Sequence, residues 1–313
     1  MSRVAVLKGG RSLERQVSLK SGARVEEALR HLSHVVVPID VDDDLVTRLL
    51  EAAPEVAFVA LHGRDGEDGT VQELLEVLGI PYTGSRVSAC IRASDKVLAK
   101  HAMRDAGIPT PDFFAFSETA FKALGAARAV PAIVSRLQFP LVVKPASQGS
   151  ALGIKFAKSA ADVPAALLSA FSYDKKVLLE RHVAGRELAV SVLATDGEPC
   201  ALPIVEAVPE QEDFYDFESR YEIGRTRFVC PAELDPGLAL RAQNIALDAF
   251  RLLGCSAFAR VDLMLDAATS GLYVLEVNPI PGLTETSLLP QAADAAGLGF
   301  DSLIERILAA AAL

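Results

Sequence analysis

Apolar positions in the first third of the chain switch between short continuous runs and helical spacing. R-V-A-V-L-K, V-V-V-P-I-D and V-A-F-V-A-L-H read as strands. Residues 13–32 and the stretch G-T-V-Q-E-L-L-E-V-L-G carry apolar residues at the period of an amphipathic helix. Strands alternating with helices predict a parallel sheet with ligands at the strand carboxyl ends. Two of those ends run into polar turns, G-G-R-S-L-E and H-G-R-D-G-E-D-G. This pattern defines a first lobe over residues 1–90.

A helix over 94–107 follows, stopped by G-I-P-T-P, and the pattern then becomes mixed. The strand F-P-L-V-V-K-P leads to a loop A-S-Q-G-S-A-L-G, a strand I-K-F-A, a helix over 162–171 and a strand V-L-L-E-R. Residues 91–185 form a central lobe. From about 186 to 313 the chain reads as strand-rich. It is interrupted by P-E-Q-E-D-F-Y-D-F-E-S-R-Y-E-I-G, a polar, aromatic-bearing stretch that reads as a lid or binding loop over 209–229.

Composition narrows the class. With 313 residues the chain can bury most of its apolar surface, and although 50% of it is hydrophobic, no apolar run approaches the ~20 residues that span a bilayer. The N-terminus lacks the pattern of a signal peptide, so a soluble cytoplasmic protein is expected. Cys90, Cys200, Cys230 and Cys255 have no metal-binding spacing and are expected as buried free thiols. A net charge of -10 argues against a nucleic-acid partner but not against ATP, which a few local cations and amides can hold.

Candidate chemistry is densest near the end. A-R-V-D-L-M-L and L-Y-V-L-E-V-N read as two strands joined by D-A-A-T-S-G. Alternation puts Arg260, Asp262 and Met264 on one face, and Val274, Glu276 and Asn278 on one face of the second strand. Oxygen donors without His or Cys suit Mg²⁺ beside phosphates. The same residues equally suit a salt-bridged hairpin, Arg260 with Asp262 or Glu276. If Asp262 and Glu276 face one metal, their register sum is even and the hairpin loop is odd in length, unless a bulge intervenes.

Upstream, Lys144 ends a strand before a glycine-containing loop, 147–153, that could cradle phosphate or be an ordinary turn. Lys96 precedes a helix, and Glu180 closes an apolar strand with Glu187 seven residues on. Singly these suit solvated side chains as well as a nucleotide site. Glu14 lies in the first turn of a helix, where the dipole favours a carboxylate, and His62 closes a strand at a ligand-binding edge.

In this order, G-G-R-S-L-E-R-Q-V-S, A-L-H-G-R-D-G-E-D-G-T-V-Q, G-I-P-Y-T-G-S, S-D-K, V-V-K-P, F-Y-D-F-E-S-R-Y, A-R-V-D and L-E-V-N-P-x-P-G-L-T-x-x-S-L-L-P resemble the D-alanine–D-alanine ligases of the ATP-grasp superfamily over nearly the whole chain. The resemblance implies an ATP-grasp fold preceded by an N-terminal Rossmann-like parallel α/β domain, and a cytoplasmic homodimer that makes the peptidoglycan dipeptide. It implies that Lys96, Lys144 and Arg220 bind ATP phosphates, with Ser147, Gly149 and Ser150 in the loop that closes over them. Glu180 and the backbone near Val183 would hold adenine, and Glu187 the ribose. Asp262, Glu276 and Asn278 would bind two Mg²⁺ ions, with Mn²⁺ as an alternative. Glu14 would hold the ammonium of the first D-alanine, with His62 beside it, and Ser287 and Leu288 the carboxylate of the second. Arg260 and the Gly282 amide would face the oxyanion, and Tyr221 and Ser150 would meet Glu14.

Three positions depart from the family pattern: Arg220 for a lysine, Ala151 for a second serine, and Pro279 for a threonine. They bear on kinetics and substrate range, and none deletes a metal ligand. A ligase with D-lactate or another D-amino acid as second substrate, and a non-catalytic nucleotide-binding homologue, are the alternatives. A nicotinamide-dependent enzyme is a poor reading, because the first turn lacks G-x-G-x-x-G.

Overall fold

The computed structural model describes residues 1–195, 197–209 and 226–313. Its first sheet is parallel, in the order β2-β1-β3, from β1 (Arg3–Lys8), β2 (Val35–Asp40) and β3 (Val56–Val59). Val4, Ala5, Val6 and Leu7 are all buried, as expected of a strand covered on both faces. The helices α1 (Arg15–His31), α2 (Leu45–Ala52) and α3 (Thr70–Leu78) complete this region. Gly22 lets α1 approach the sheet: a Cβ there would lie 2.6 Å from the Lys8 side chain.

The helix expected over 94–107 is α5 (Lys96–Asp105), and a further helix, α4 (Val87–Ser94), precedes it. Asp95 separates them in an extended conformation, and its carboxylate caps α5 by accepting from the amides of Val97 and Leu98. Lys96 is therefore the first residue of α5 and buried, where the sequence alone suited a solvated lysine ahead of the helix.

An antiparallel sheet follows in the order β4-β7-β5-β6, from β4 (Phe113–Ser117), β5 (Leu141–Pro145), β6 (Lys155–Ala157) and β7 (Lys176–Arg181). With it come α6 (Glu118–Ala123), α7 (Val130–Leu137) and α8 (Val163–Phe171), and Ile133, Leu137, Val163 and Leu167 build its core with Leu141 and Val143.

The third sheet comprises β8 (Gly185–Ala194), β9 (Cys200–Ala201), β10 (Val205–Pro209), β11 (Thr226–Val229), β12 (Ala257–Asp266) and β13 (Leu272–Asn278). Its order is β11-β10-β8-β12-β13, with β9 on β8. Within this stretch, read from sequence as strand-rich, lies α9 (Pro236–Leu253), whose Ala242, Ala246, Ala249 and Phe250 fill the core behind the sheet. Asp235 caps it, Pro236 opens it and Gly254 closes it at φ 74°, a start-and-stop signature present in the sequence. Two final helices, α10 (Leu288–Ala295) and α11 (Phe300–Ala309), join the first and third sheets in one core, with Leu289, Leu303 and Ile307 clustered with Val6, Phe58 and Phe258.

The expected thiols are free, but Cys200 is exposed, since it sits on a two-residue edge strand. Among the described residues, no helix is long and apolar enough to cross a membrane.

Candidate active site

The hairpin of β12 and β13 contains an irregularity that shapes the site. Asp262 pairs with Glu276, an even register sum, yet Leu263 pairs with Val274, so Leu275 is an extra residue in β13. The bulge corrects one sequence expectation. Val274 does not share the face of Glu276 and Asn278. It is fully buried with Val261 and Leu263 in the core, while Leu275 lines a cleft with Asp262 and Glu276. The bulge also reconciles the even register sum with a six-residue loop, 266–271, whose Asp266 carboxylate accepts from the amides of Ala268 and Thr269.

Two adjoining clefts meet at this hairpin. The first, of about 650 Å³, is lined by Glu14, His62, Ser147, Gly149, Ser150, Arg260, Asn278, Gly282, Ser287 and Leu288. The second, of about 470 Å³, is lined by Lys144, Glu180, Val183, Glu187 and Asp262 among apolar Val142, Ile154, Phe156, Met264 and Leu275. Lys96, Gln148 and Glu276 line both. A polar cleft and an apolar-walled one suited to a flat ring thus share a charged threshold.

The charges at that threshold are paired. Arg260 Nε and Nη2 donate to the two Asp262 oxygens at 2.7 and 2.8 Å, the ion pair that the hairpin spacing equally suited. Lys96 Nζ lies 3.0 Å from Glu276 and donates to the Gln148 carbonyl at 2.9 Å, tying the 147–153 loop to the hairpin. Burial works against the Lys96 charge, but Glu276 outweighs it and raises the pKa above the ordinary lysine value. Asn278 Oδ1 accepts from the Ile280 amide at 3.0 Å. Asp262, Glu276 and Asn278 are oxygen donors at one end of one hairpin, with no sulfur or imidazole among them, which fits a hard divalent cation.

Glu14 sits at the N-cap of α1, one residue ahead of the first turn, and makes no side-chain cap of its own helix. Its carboxylate instead accepts a hydrogen bond from the Ser150 hydroxyl. Ser150 and Ala151 both adopt left-handed backbone, φ 52° and 58°, which folds the loop over the clefts rather than into a plain hairpin turn. The Ser147 amide donates to Asp174, which lines the same cleft, at 2.7 Å.

His62 is buried, with both ring nitrogens engaged. Nδ1 lies 3.1 Å from the Ile280 carbonyl, so it carries the proton, and Nε2 accepts from the Ser21 hydroxyl at 2.8 Å. Ser21 in turn accepts from the Leu283 amide at 3.1 Å, which fixes α1 to the segment bearing Gly282. Burial lowers the His62 pKa to about 4. A Cβ at Gly282 would lie 2.6 Å from Ser287 Oγ, so no larger residue fits there without displacing Ser287. Ser287 is the N-cap of α10 and Leu288 its first residue, and a helix start presents amides to an anion.

Glu180 is buried, not solvated as its sequence setting alone allowed, and contacts Lys144 at 2.7 Å and Lys100 at 2.5 Å. Burial opposes its charge, but the two lysines hold its pKa below the usual carboxylate value. Lys100 and Glu67 were not among the residues singled out from sequence. Lys100 follows Lys96 by one helical turn, which was the available signal. Burial and the neighbouring Glu14 push Glu67 up to about 8. Arg220 and Tyr221, and most of the 209–229 stretch, lie outside the described residues.

Residues 102–309 match the family model for the D-ala D-ala ligase C-terminus, and residues 46–85 that for the N-terminus. The chain is 47% identical to the D-alanine–D-alanine ligase of Syntrophotalea carbinolica over 99% of this chain and 96% of that one. It is 43% identical to the ligase of Geotalea uraniireducens over 99% and 96%. Among solved structures, the Bacillus anthracis D-alanine–D-alanine ligase complexed with ATP superposes with a TM-score of 0.82 at 33% identity, over 99% of this chain and 97% of that one.

Proposed function

Since this chain belongs to the D-alanine–D-alanine ligase family, we propose how its own residues divide the work of the ligation. The enzyme has the ATP-grasp fold and joins two D-alanines with conversion of ATP to ADP and phosphate, giving the terminal dipeptide of peptidoglycan precursors. One observation carries the assignment of roles: Lys96 and Glu276 stand where the two clefts meet, with Asp262 directly across the hairpin.

In this reading the apolar-walled cleft takes the nucleotide. Glu180 and the Val183 backbone face adenine, Glu187 faces the ribose, and Lys96 and Lys144 face the phosphates. Asp262, Glu276 and Asn278 would hold two Mg²⁺ ions, which offset phosphate charge when bound. The polar cleft takes the amino acids. Glu14, fixed by Ser150 and flanked by His62, binds the first ammonium, and Ser287 and Leu288 bind the second carboxylate.

A carboxylate is a poor acyl donor, so the first D-alanine carboxylate attacks the γ-phosphorus and ADP leaves, giving an acyl phosphate. The amine of the second D-alanine attacks that carbonyl. Arg260 and the Gly282 amide offset the oxyanion charge, and phosphate departs. The 147–153 loop, with Gly149 over Glu14, keeps water from the acyl phosphate. Arg220 and Tyr221 complete the set at the phosphates and at Glu14, on the strength of the resemblance. The same resemblance supports a homodimer, which light scattering tests.

Isotope exchange tests the acyl phosphate. With ATP labelled at the βγ-bridging oxygen, D-alanine should scramble the label into non-bridging positions. Absence of scrambling while dipeptide forms would count against a reversible phosphoryl transfer to the carboxylate.

A further inference from the structure

Behind the nucleotide cleft, two lysines share one carboxylate. Lys144 and Glu180 line the cleft, whereas Lys100 is fully buried and, among the described residues, lines neither cleft. Lys144 Nζ reaches Glu180 Oε1 at 2.7 Å, and Lys100 Nζ reaches Oε2 at 2.5 Å. Lys100 is also anchored from behind. Its ammonium donates to the Thr110 hydroxyl, which donates to the Val274 carbonyl at 2.8 Å, and the Val274 amide donates to the Pro109 carbonyl at 2.8 Å.

The triad therefore holds one more positive charge than it needs. Lys144 alone would neutralise Glu180, and a second buried ammonium is unfavourable enough that burial lowers the Lys100 pKa to about 8 even beside Glu180. The surplus becomes useful if Lys144 leaves. Once Lys144 turns to a phosphate, Glu180 would be a bare carboxylate away from water, an arrangement that is strongly disfavoured. Lys100 cannot follow, because Thr110 holds it on the far side.

We propose that Lys100 is a positioning residue that keeps Glu180 paired so that Lys144 is released to the nucleotide. This rests on Lys144 as a phosphate ligand, as argued above.

The test is ATP binding by titration calorimetry, without D-alanine, in Lys100→Met, Lys144→Met and the double variant, with KM and kcat for the single Lys100 variant. In Lys100→Met a neutral Lys144–Glu180 pair remains, so the melting temperature should hold. The dissociation constant for ATP should nonetheless rise about tenfold or more. KM for ATP should rise with it, while kcat at saturating ATP and KM for D-alanine change less than about twofold. In the Lys144→Met background the Lys100 substitution should add little, since the two act in one chain. Thr110→Val, which removes the anchor without removing charge, should weaken ATP binding in the same Lys144-dependent way, and it carries the test if Lys100→Met does not fold. Wild-type ATP affinity in both Lys100→Met and Thr110→Val overturns the proposal, as does an equal loss in the Lys144→Met background. Wild-type affinity in Lys144→Met removes the phosphate role of Lys144, and the inference falls with it.

Discussion

Asp262 and Glu276 stand directly opposite each other across β12 and β13, and the bulge at Leu275 changes strand phase just beyond them, so the core side of the hairpin stays apolar. A carboxylate pair on one face can serve a cation only if both keep their charge. Glu276→Gln preserves shape and removes one charge, so kcat for dipeptide synthesis should fall about 10³-fold in a folded protein. Circular dichroism with steady-state kinetics checks both halves.

The forked contact of Arg260 with Asp262 gives a second prediction. Arg260→Lys keeps the charge but loses the two-pronged geometry. A loss of about 10²-fold in kcat is expected, with KM for ATP changed far less.

Ser150 donates to Glu14 from the left-handed loop. Ser150→Ala should raise the KM for the first D-alanine about tenfold, the scale of one hydrogen bond to a charged group. ATP binding, measured alone, should be nearly unaffected.

Stability should depend on pH through His62 and Glu67 in opposite senses. The His62 pKa is about 4 in the folded protein against 6.5 ordinarily, so the unfolded chain binds the extra proton between those values. Stability is then lost as pH falls from 6.5 toward 4, by up to about 3 kcal/mol. Glu67 is pushed up to about 8, so its contribution is present below the ordinary 4.5 and lost as pH rises through 8. Between 4.5 and 6.5 the two slopes oppose and nearly cancel, so urea unfolding across pH should show stability falling with rising pH through that window in His62→Gln, and the loss between 6.5 and 8 shrinking in Glu67→Gln.

Much of this was legible in the chain because strand and helix periods differ and the motifs sit at element ends. The parallel first sheet and the Arg260, Asp262, Glu276 and Asn278 hairpin are read directly from alternation. Val274 was misplaced because alternation carries no sign of a bulge; its amide donates to the Pro109 carbonyl and its carbonyl accepts from the Thr110 hydroxyl, long-range bonds that sequence spacing does not reveal. Lys100 escaped notice because a lysine on a helix is ordinarily solvated, and its burial follows only from β7 bringing Glu180 beside α5. The helix α9 was missed although Asp235, Pro236 and Gly254 mark both its ends.

Phosphate release coupled to dipeptide formation tests whether this hairpin and its two clefts carry the ligation. The most direct measurement is phosphate release from ATP and Mg²⁺ with D-alanine or L-alanine, with D-alanyl-D-alanine counted alongside, for the wild-type enzyme and Asp262→Asn. One phosphate per dipeptide is expected, with a requirement for the D isomer and loss of both products in Asp262→Asn while the protein stays folded. ATP binding without turnover on D-alanine, or undiminished turnover in Asp262→Asn, would contradict it.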